Sequence, residues 1–509
     1  MPQANIIPLF IAISLGGAFL ISIIGRRIKG FPDLMGNLTT FMLLCLSVSA
    51  LKLSNSYGTI IYSVGSWKPP AGIAMVLDGF TSFMLVTINL VAFIVSIYAI
   101  NYMEKYTSKW KFYTLFLLML AGMNGVILTG DIFNLFVFLE IASVASYALV
   151  AFGTERHELE AAFKYAVMGT IGSLFILIGI VFLYSYTSTL NMADMAAILA
   201  RKGIGNVGLL VSVLFIMGFG LKAALVPFHA WLPDAHPSAP APISAMLSGV
   251  LVKSLGVYTI CRIFFNVIGF SLEISSVLMF LGAASMVIGV FLAIGQWDFK
   301  RLLAYHSISQ IGYVILGIGL GTPLGILGGL FHLFNHSIFK SLLFLNSGAV
   351  EYSTGTRNLQ KMGGLREKMP VTSATSLTAS MAIAGIPPFN GFWSKLLIII
   401  AAVEAGRFGY AFLAVLASII TLASFTKVMK YAFFGKLREK WNNIKEVPLF
   451  MALAMAALAF ICIVGGVMLF PGIVTGFLKP AADVLSEGAK YSVTVLQGVA
   501  NSPTGHSVE

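Results

Sequence analysis

Charge is what this sequence has least of. Of its 509 residues only 10% are Asp, Glu, Lys or Arg, while 58% are hydrophobic. A soluble protein carries about 25% charged residues. This chain cannot clothe itself in a water-compatible surface and reads as a polytopic membrane protein. Soluble enzymes, nucleic-acid binders and disordered chains are excluded. The net charge of +12 does not point to nucleic acid, because the basic residues fall in short loops between apolar runs.

Cysteine is nearly absent as well. Cys45, Cys261 and Cys462 each stand alone in an apolar stretch, with no CxxC and no CxxCH. That excludes iron–sulfur ligation, c-type haem and a disulfide framework. Any redox chemistry belongs to another subunit, and no cofactor or metal is expected in this chain. There is no GxxxxGK[ST] and hence no ATP drive. GIGNVG at 203–208 matches GxGxxG, but no βαβ unit surrounds it. Long polar stretches are missing too, so no soluble domain fits anywhere.

What is present is a succession of apolar runs. A helix needs about 20 such residues to cross ~30 Å of hydrocarbon. Fourteen spans are predicted, at 4–25, 32–52, 76–103, 111–130, 131–153, 161–187, 206–230, 241–264, 273–296, 301–320, 324–349, 371–403, 408–434 and 447–471. The first has no positive n-region before it and is followed by Arg26, Arg27 and Lys29, so it reads as a membrane helix and not a cleaved signal. The tail from about 480 is mildly polar and is expected at the interface. With the N-terminus outward, the inward loops hold 17 Lys and Arg and the outward side holds 8, Lys68 and Arg262 among the latter. That bias favours both termini outside.

Seven basic residues remain inside the spans. Lys164, Lys427 and Lys430 lie near span ends and can snorkel. Lys222, Lys253, Lys340 and Lys395 cannot, and Glu140 joins them roughly 13 Å into the fifth span. A charge at a helix centre costs about 2.5–3.5 kcal/mol. Five would cost on the order of 12–17 kcal/mol, comparable to the whole stability of a typical protein. Inter-helix glue is the bland explanation, but four lysines, a glutamate and two histidines in one bundle point to an ion or proton pathway.

Spacing sharpens this. FHLFNHSIFKSLLF puts His332, His336 and Lys340 at i, i+4 and i+8, on one helical stripe. The histidine pair could hold zinc, but no HExxH and no evident further ligand accompanies it. Two spans are expected to be broken: Pro227 follows Lys222 by five residues, and Pro387–Pro388 precede Lys395. Breaks inside a span are tolerated where they line a polar cavity. VPFHAWL and PPFNGFW echo each other weakly, as internal repeats do in transporters. Asp131, opening the fifth span, is expected to be a helix N-cap.

The segments GDIFNLFVFLEIASVASYALVAFG, FGLKAALVPFHAWLPDAHPSAPAPISAMLSGVLVKSLGVY, DFKRLLAYHSISQIGYVILGIG, FHLFNHSIFKSLLFLNSGAV and AGIPPFNGFWSKLLII, in this order, resemble the antiporter-like family. It comprises the D-type subunit of Mrp Na+/H+ antiporters, the matching subunit of membrane-bound hydrogenases and the proton-pumping subunits of respiratory complex I. The likeness covers roughly residues 75–435. It implies an all-α polytopic fold of about fourteen helices. Helices 1–3 occupy 1–110. Two inverted five-helix repeats occupy 111–264 and 273–434, and a last helix and tail occupy 447–509.

The resemblance also implies roles. Glu140 matches the family's fifth-helix glutamate, Lys222 its paired seventh-helix lysine, and Lys253 the bridging lysine of the eighth. His332 and His336 fit the central histidines and Lys395 the terminal lysine. Lys340 falls in a familiar motif with a less defined role. Loss of the Glu140 charge would free the Lys222 proton to move through Lys253 and the histidines to Lys395. The function implied is ion translocation, of protons and with Na+/H+ exchange open, in a larger redox-driven complex of membrane subunits such as a membrane-bound hydrogenase or complex I-like assembly. The D-type subunit of an Mrp antiporter is the alternative within the family. A stand-alone solute carrier and a structural scaffold are the readings from other classes. The chain itself would be a translocase subunit with no catalytic redox centre, in the cell membrane, with the lipid bilayer and no nucleic acid as its surroundings.

Overall fold

The computed structural model describes residues 2–67, 72–106 and 108–500. Helix dominates it. The membrane body is built from α1 (Ile6–Ile24), α2 (Phe31–Tyr57), α3 (Gly79–Tyr102), α4 (Lys109–Leu128), α5 (Ile132–Val150), α6 (Arg156–Thr187), α7 (Gly205–Lys222), α8 (Ala241–Val267), α9 (Leu272–Ile294), α10 (Phe299–Gly319), α11 (Pro323–Thr354), α12 (Pro370–Ala384), α13 (Asn390–Glu404), α14 (Phe408–Val428) and α15 (Leu449–Val464). Twelve helices among the described residues are long and apolar enough to cross a membrane. The other two expected spans are the polar, deeply buried α11 and the broken α12–α13. The chain is an all-α polytopic membrane protein.

Depth of burial sorts the helices. α8 and α10 are almost wholly inside and α3, α4 and α11 mostly so, whereas α1, α2, α6 and α15 turn much of their apolar surface outward. Lipid-facing residues such as Phe163, Leu209, Phe412 and Phe460 are well exposed. With hydrocarbon as solvent, apolar exposure on the outer helices costs little, and what distinguishes the inner helices is small and polar content. α9 and α10 illustrate the small content: a side chain on Gly282, Gly289 or Gly312 would meet the facing backbone within 3 Å.

The proline breaks fall where expected. α7 ends at Lys222, the chain turns irregularly, and a short helix resumes at Leu232–Ser238. Pro227 has no N–H to continue the ladder. The Val226 amide is instead satisfied by Ser285 Oγ of α9 at 2.9 Å, and Ala224 adopts φ +53° to make the turn. The α12–α13 break passes through Gly385 at φ +78°, a conformation that favours glycine.

Some expectations need correction. In the broken span 206–230 the helix stops at Lys222, five residues before the expected break at Pro227. Arg262 is not a loop charge. It lies in α8, fully buried, and forks onto Asp78 with bonds of 2.8 and 3.0 Å. Lys68 and residues 501–509 of the tail lie outside the described residues. The rest of the tail is helical and folds back on the body: Asn266 of α8 donates to the Val484 carbonyl at 2.9 Å. A β-hairpin is a further departure from an all-helical expectation. β1 (Ile60–Ser63) pairs antiparallel with β2 (Ala74–Leu77), Ile60 opposite Leu77.

A buried polar axis as candidate functional site

Glu140 sits on α5, whose N-cap is the Asp131 side chain, as expected, accepting from the Asn134 amide at 2.8 Å. Its carboxylate lies 3.6 Å from Lys222 Nζ and accepts a hydrogen bond from Ser173 of α6. Lys222 Nζ also donates to Ser143 Oγ at 3.0 Å and to the Tyr147 hydroxyl at 3.4 Å. Lys222 reaches this position because α7 ends there. Trp231 of the resumed chain caps the freed end, its indole N–H donating to the Leu221 carbonyl at 3.0 Å. Trp231 in turn stacks on Tyr165, centroids 4.2 Å apart. The two charges differ in exposure: the Lys222 side chain is 4% exposed and Glu140 30%. Glu140 opens onto an apolar lateral cleft of about 520 Å³ lined by Leu115, Leu118, Phe136, Val137, Ile141 and Val144.

Lys253 lies deeper, on α8, where the helix widens into π-helical turns at Leu247–Leu251 and Lys253–Tyr258. Such widening frees backbone carbonyls and is frequent at functional sites. The Lys253 ammonium donates to one of them, Ser248 C=O. On α11, His332 Nδ1 bonds Ser394 Oγ at 2.9 Å and its Nε2 meets Gln310 Oε1 at 3.2 Å. The His336 ring follows 6.3 Å away, near parallel. Neither nitrogen of His336, nor Lys340 Nζ, has a protein hydrogen-bond partner among the described residues. Both residues are fully buried.

Lys395 closes the series. Its Nζ donates to the Ile383 carbonyl, freed by the α12–α13 break, at 2.7 Å and to Ser418 Oγ at 3.1 Å, and lies 4.7 Å from the Tyr313 ring centroid. It borders a cavity of about 200 Å³ with Ser418 and Leu422. Glu140 and Lys395 each border a cavity, and between them along the chain Lys222, Lys253, His332, His336 and Lys340 are buried. The structure brings Glu140 and Lys222 into an ion pair. Lys253, Lys340 and Lys395 have no carboxylate within ion-pair distance among the described residues.

Several polar groups escape sequence reasoning. Ser173, Ser143 and Tyr147 surround the ion pair. His306 and His236 are fully buried as well. Isolated histidines and serines carry no spacing signal. His306 stands next to Ser307 in a motif that marks only the resemblance.

The family described as NADH:quinone oxidoreductase/Mrp antiporter, transmembrane region, matches residues 129–421, and the N-terminal region of complex I chain 5 matches residues 62–113. The chain belongs to this family. The D-type subunit of the Na(+)/H(+) antiporter of Alkalihalophilus pseudofirmus is 37% identical over 397 residues, covering 76% of this chain and 79% of that protein. Among solved structures, a subunit of the Mrp complex from Dietzia sp. superposes with a TM-score of 0.90 at 28% identity, covering 97% of this chain and all of that one. A subunit of the membrane-bound sulfane sulfur reductase, an archaeal respiratory membrane complex, gives 0.88 at 33%, covering 96% and 99%. This member of the family is thus an antiporter-like, D-type membrane subunit.

Proposed function

We propose that this chain translocates ions as one membrane subunit of a larger complex, driven by redox chemistry in neighbouring subunits. The observation that carries the reading is the set of buried ionisable groups, Lys222, Lys253, His332, His336, Lys340 and Lys395, with Glu140 and Lys395 each bordering a cavity. Glue alone does not need three lysines without a carboxylate partner. Likeness to the respiratory sulfane sulfur reductase over nearly the whole chain supports the redox-driven setting. A second reading, the D-type subunit of an Mrp Na+/H+ antiporter, is favoured by the 37% identity to such a protein.

The mechanism follows from electrostatics. A unit charge at 4 Å in an effective dielectric of about 20 is worth about 4 kcal/mol. While Glu140 is ionised and near, it holds the Lys222 ammonium. When a neighbouring chain draws Glu140 away or neutralises it, the proton passes toward Lys253, then by His336 and His332 to Lys395. Lys340 lies alongside as a further acceptor. We infer that water joins these stations, since polar-lined spaces with orphan donors and acceptors hold it. Partner membrane subunits would cover the two lateral cavities, because a carboxylate facing lipid is costly.

We propose two inverted five-helix units, about 111–264 and 273–434. Two matching bridges support this. Residues 130–132 pair with 190–192, and residues 297–299 pair with 357–359. Three crossings, α7, α8 and α9, lie between the two bridges, an odd number that sets them on opposite faces. Both termini are proposed to be outside, from the Lys and Arg bias of the loops.

The test is uptake of protons or sodium by vesicles containing the whole complex. Lys222→Met is expected to abolish uptake while the complex assembles. Wild-type uptake would return Lys222 to a structural role.

A further inference from the structure

His306 is the eighth residue of α10, 0% exposed, and belongs to none of the stations above. Its Nε2 lies 2.8 Å from Ser424 Oγ on α14, and its Nδ1 has no protein partner among the described residues. The ring packs on Phe425, centroids 4.8 Å apart. One turn further along α14, Lys427 is half-exposed. Its Nζ donates to the Gln296 carbonyl at 2.7 Å, and it lies 4.9 Å from the Trp297 ring centroid, at the loop joining α9 to α10. The charges that bear on His306 are Lys340 first, then Lys395 and Lys427. His306 thus bonds a hydroxyl one turn from Lys427 and feels the charges of two lysines of the buried set. The neighbouring residue ties the same turn to the axis. Ser307 Oγ lies 2.6 Å from Ser248 Oγ, and the Ser248 carbonyl accepts from Lys253.

We propose that His306 and Ser424 form a side branch of the axis, joining Lys340 to the face that carries Lys427. That face is inward in the orientation given above. The branch supplies the second half of the chain with its own exchange of protons with water. A proton from water beside Lys427 passes to Ser424 Oγ as the Ser424 hydroxyl proton moves to His306 Nε2. The proton on His306 Nδ1 leaves for the unprotonated amine of Lys340. The ring is neutral before and after, water has lost one proton, and Lys340 has become an ammonium. Packing alone explains the His306–Ser424 bond as a tie between α10 and α14. It does not explain a second ring nitrogen left without a partner in a buried site that feels the charges of three lysines. An orphaned buried nitrogen costs free energy unless something uses it.

The branch rests on the translocation reading, and the experiment separates the two. The whole complex is reconstituted in vesicles and proton uptake is measured for His306→Gln, Ser424→Ala, Ser424→Thr and Lys222→Met. Glutamine can keep the bond to Ser424 but cannot carry a proton. His306→Gln is expected to slow uptake at least about tenfold, the low end of what a lost proton-transfer group costs. Its melting temperature should match wild type. Ser424→Ala should also slow uptake, and Ser424→Thr, which keeps the hydroxyl, should restore it. Wild-type uptake by His306→Gln, with Lys222→Met inactive, overturns the branch and leaves the main reading standing. Wild-type uptake by Lys222→Met overturns the main reading. Should His306→Gln fail to assemble, the Ser424 pair decides, and equal rates for alanine and threonine overturn the branch.

Discussion

Four buried lysines illustrate how differently one residue type can be housed. Lys222 has a carboxylate and two hydroxyls, Lys253 a carbonyl of its own helix, and Lys395 a carbonyl released by a break. Lys340 has none of these. An ammonium held only by neutral oxygens is tied less firmly than one held by a carboxylate, so these sites suit transient occupation by a proton. Asp78–Arg262 is the contrasting case. Arg262 forks onto Asp78, and Tyr258 and Asn266 take up its remaining donors. Such a pair is permanent, and losing one partner strands the other's charge at a cost of about 3–5 kcal/mol. Arg262→Leu is expected to lower the unfolding temperature of the complex markedly. Asp78→Asn with Arg262→Leu should recover part of the loss, because asparagine keeps the cap on the Thr81 amide without a stranded charge. Equal melting of Arg262→Leu and wild type would contradict this.

Elements inherit their form from a few residues, and this limits what is legible in the sequence. Long apolar runs and prolines without N–H groups write themselves plainly, so most helices and both breaks can be read. The α7 break lies at Pro227 as expected, but the expected span runs past Lys222 because Ala223, Ala224 and Leu225 are apolar and composition says nothing of a turn. Arg262 misleads for a related reason. Its partner lies 184 positions away, and one strand of sequence cannot show such a pair. The π-turns around Lys253 leave no signature, since their φ and ψ stay near ordinary helical values at Val252 and Tyr258. The hairpin is hidden because four-residue strands in an apolar chain resemble the ends of spans. Of the candidate site, the ionisable residues are visible because each is costly in hydrocarbon. Their hydroxyl neighbours are not, because serine and threonine are common inside membrane helices.

For the whole molecule, orientation and coupling are what matter. In the proposed orientation, with both termini outside, the loop at 357–366 and the tail after Pro480 would lie on opposite faces. Single cysteines in each should then react with an impermeant thiol reagent from opposite sides. Labelling of both from one side would break the proposed count of crossings. In the proposed mechanism coupling to neighbours begins at the Glu140 cleft and ends at the Lys395 cavity, which would make the chain a link in a row and not a solitary carrier. The Glu140–Lys222 pair is the switch on which this account turns, and a double-mutant cycle tests it most directly. Glu140→Gln, Lys222→Met and the double variant are compared for ion uptake by vesicles and for thermal stability of the complex. Residues that act as one unit give losses that do not add. The account predicts that each single variant abolishes uptake and that the double variant is no worse. The double variant should also be more stable than the sum of the singles implies, because no charge is left without its partner. Near-normal uptake by Glu140→Gln would contradict it.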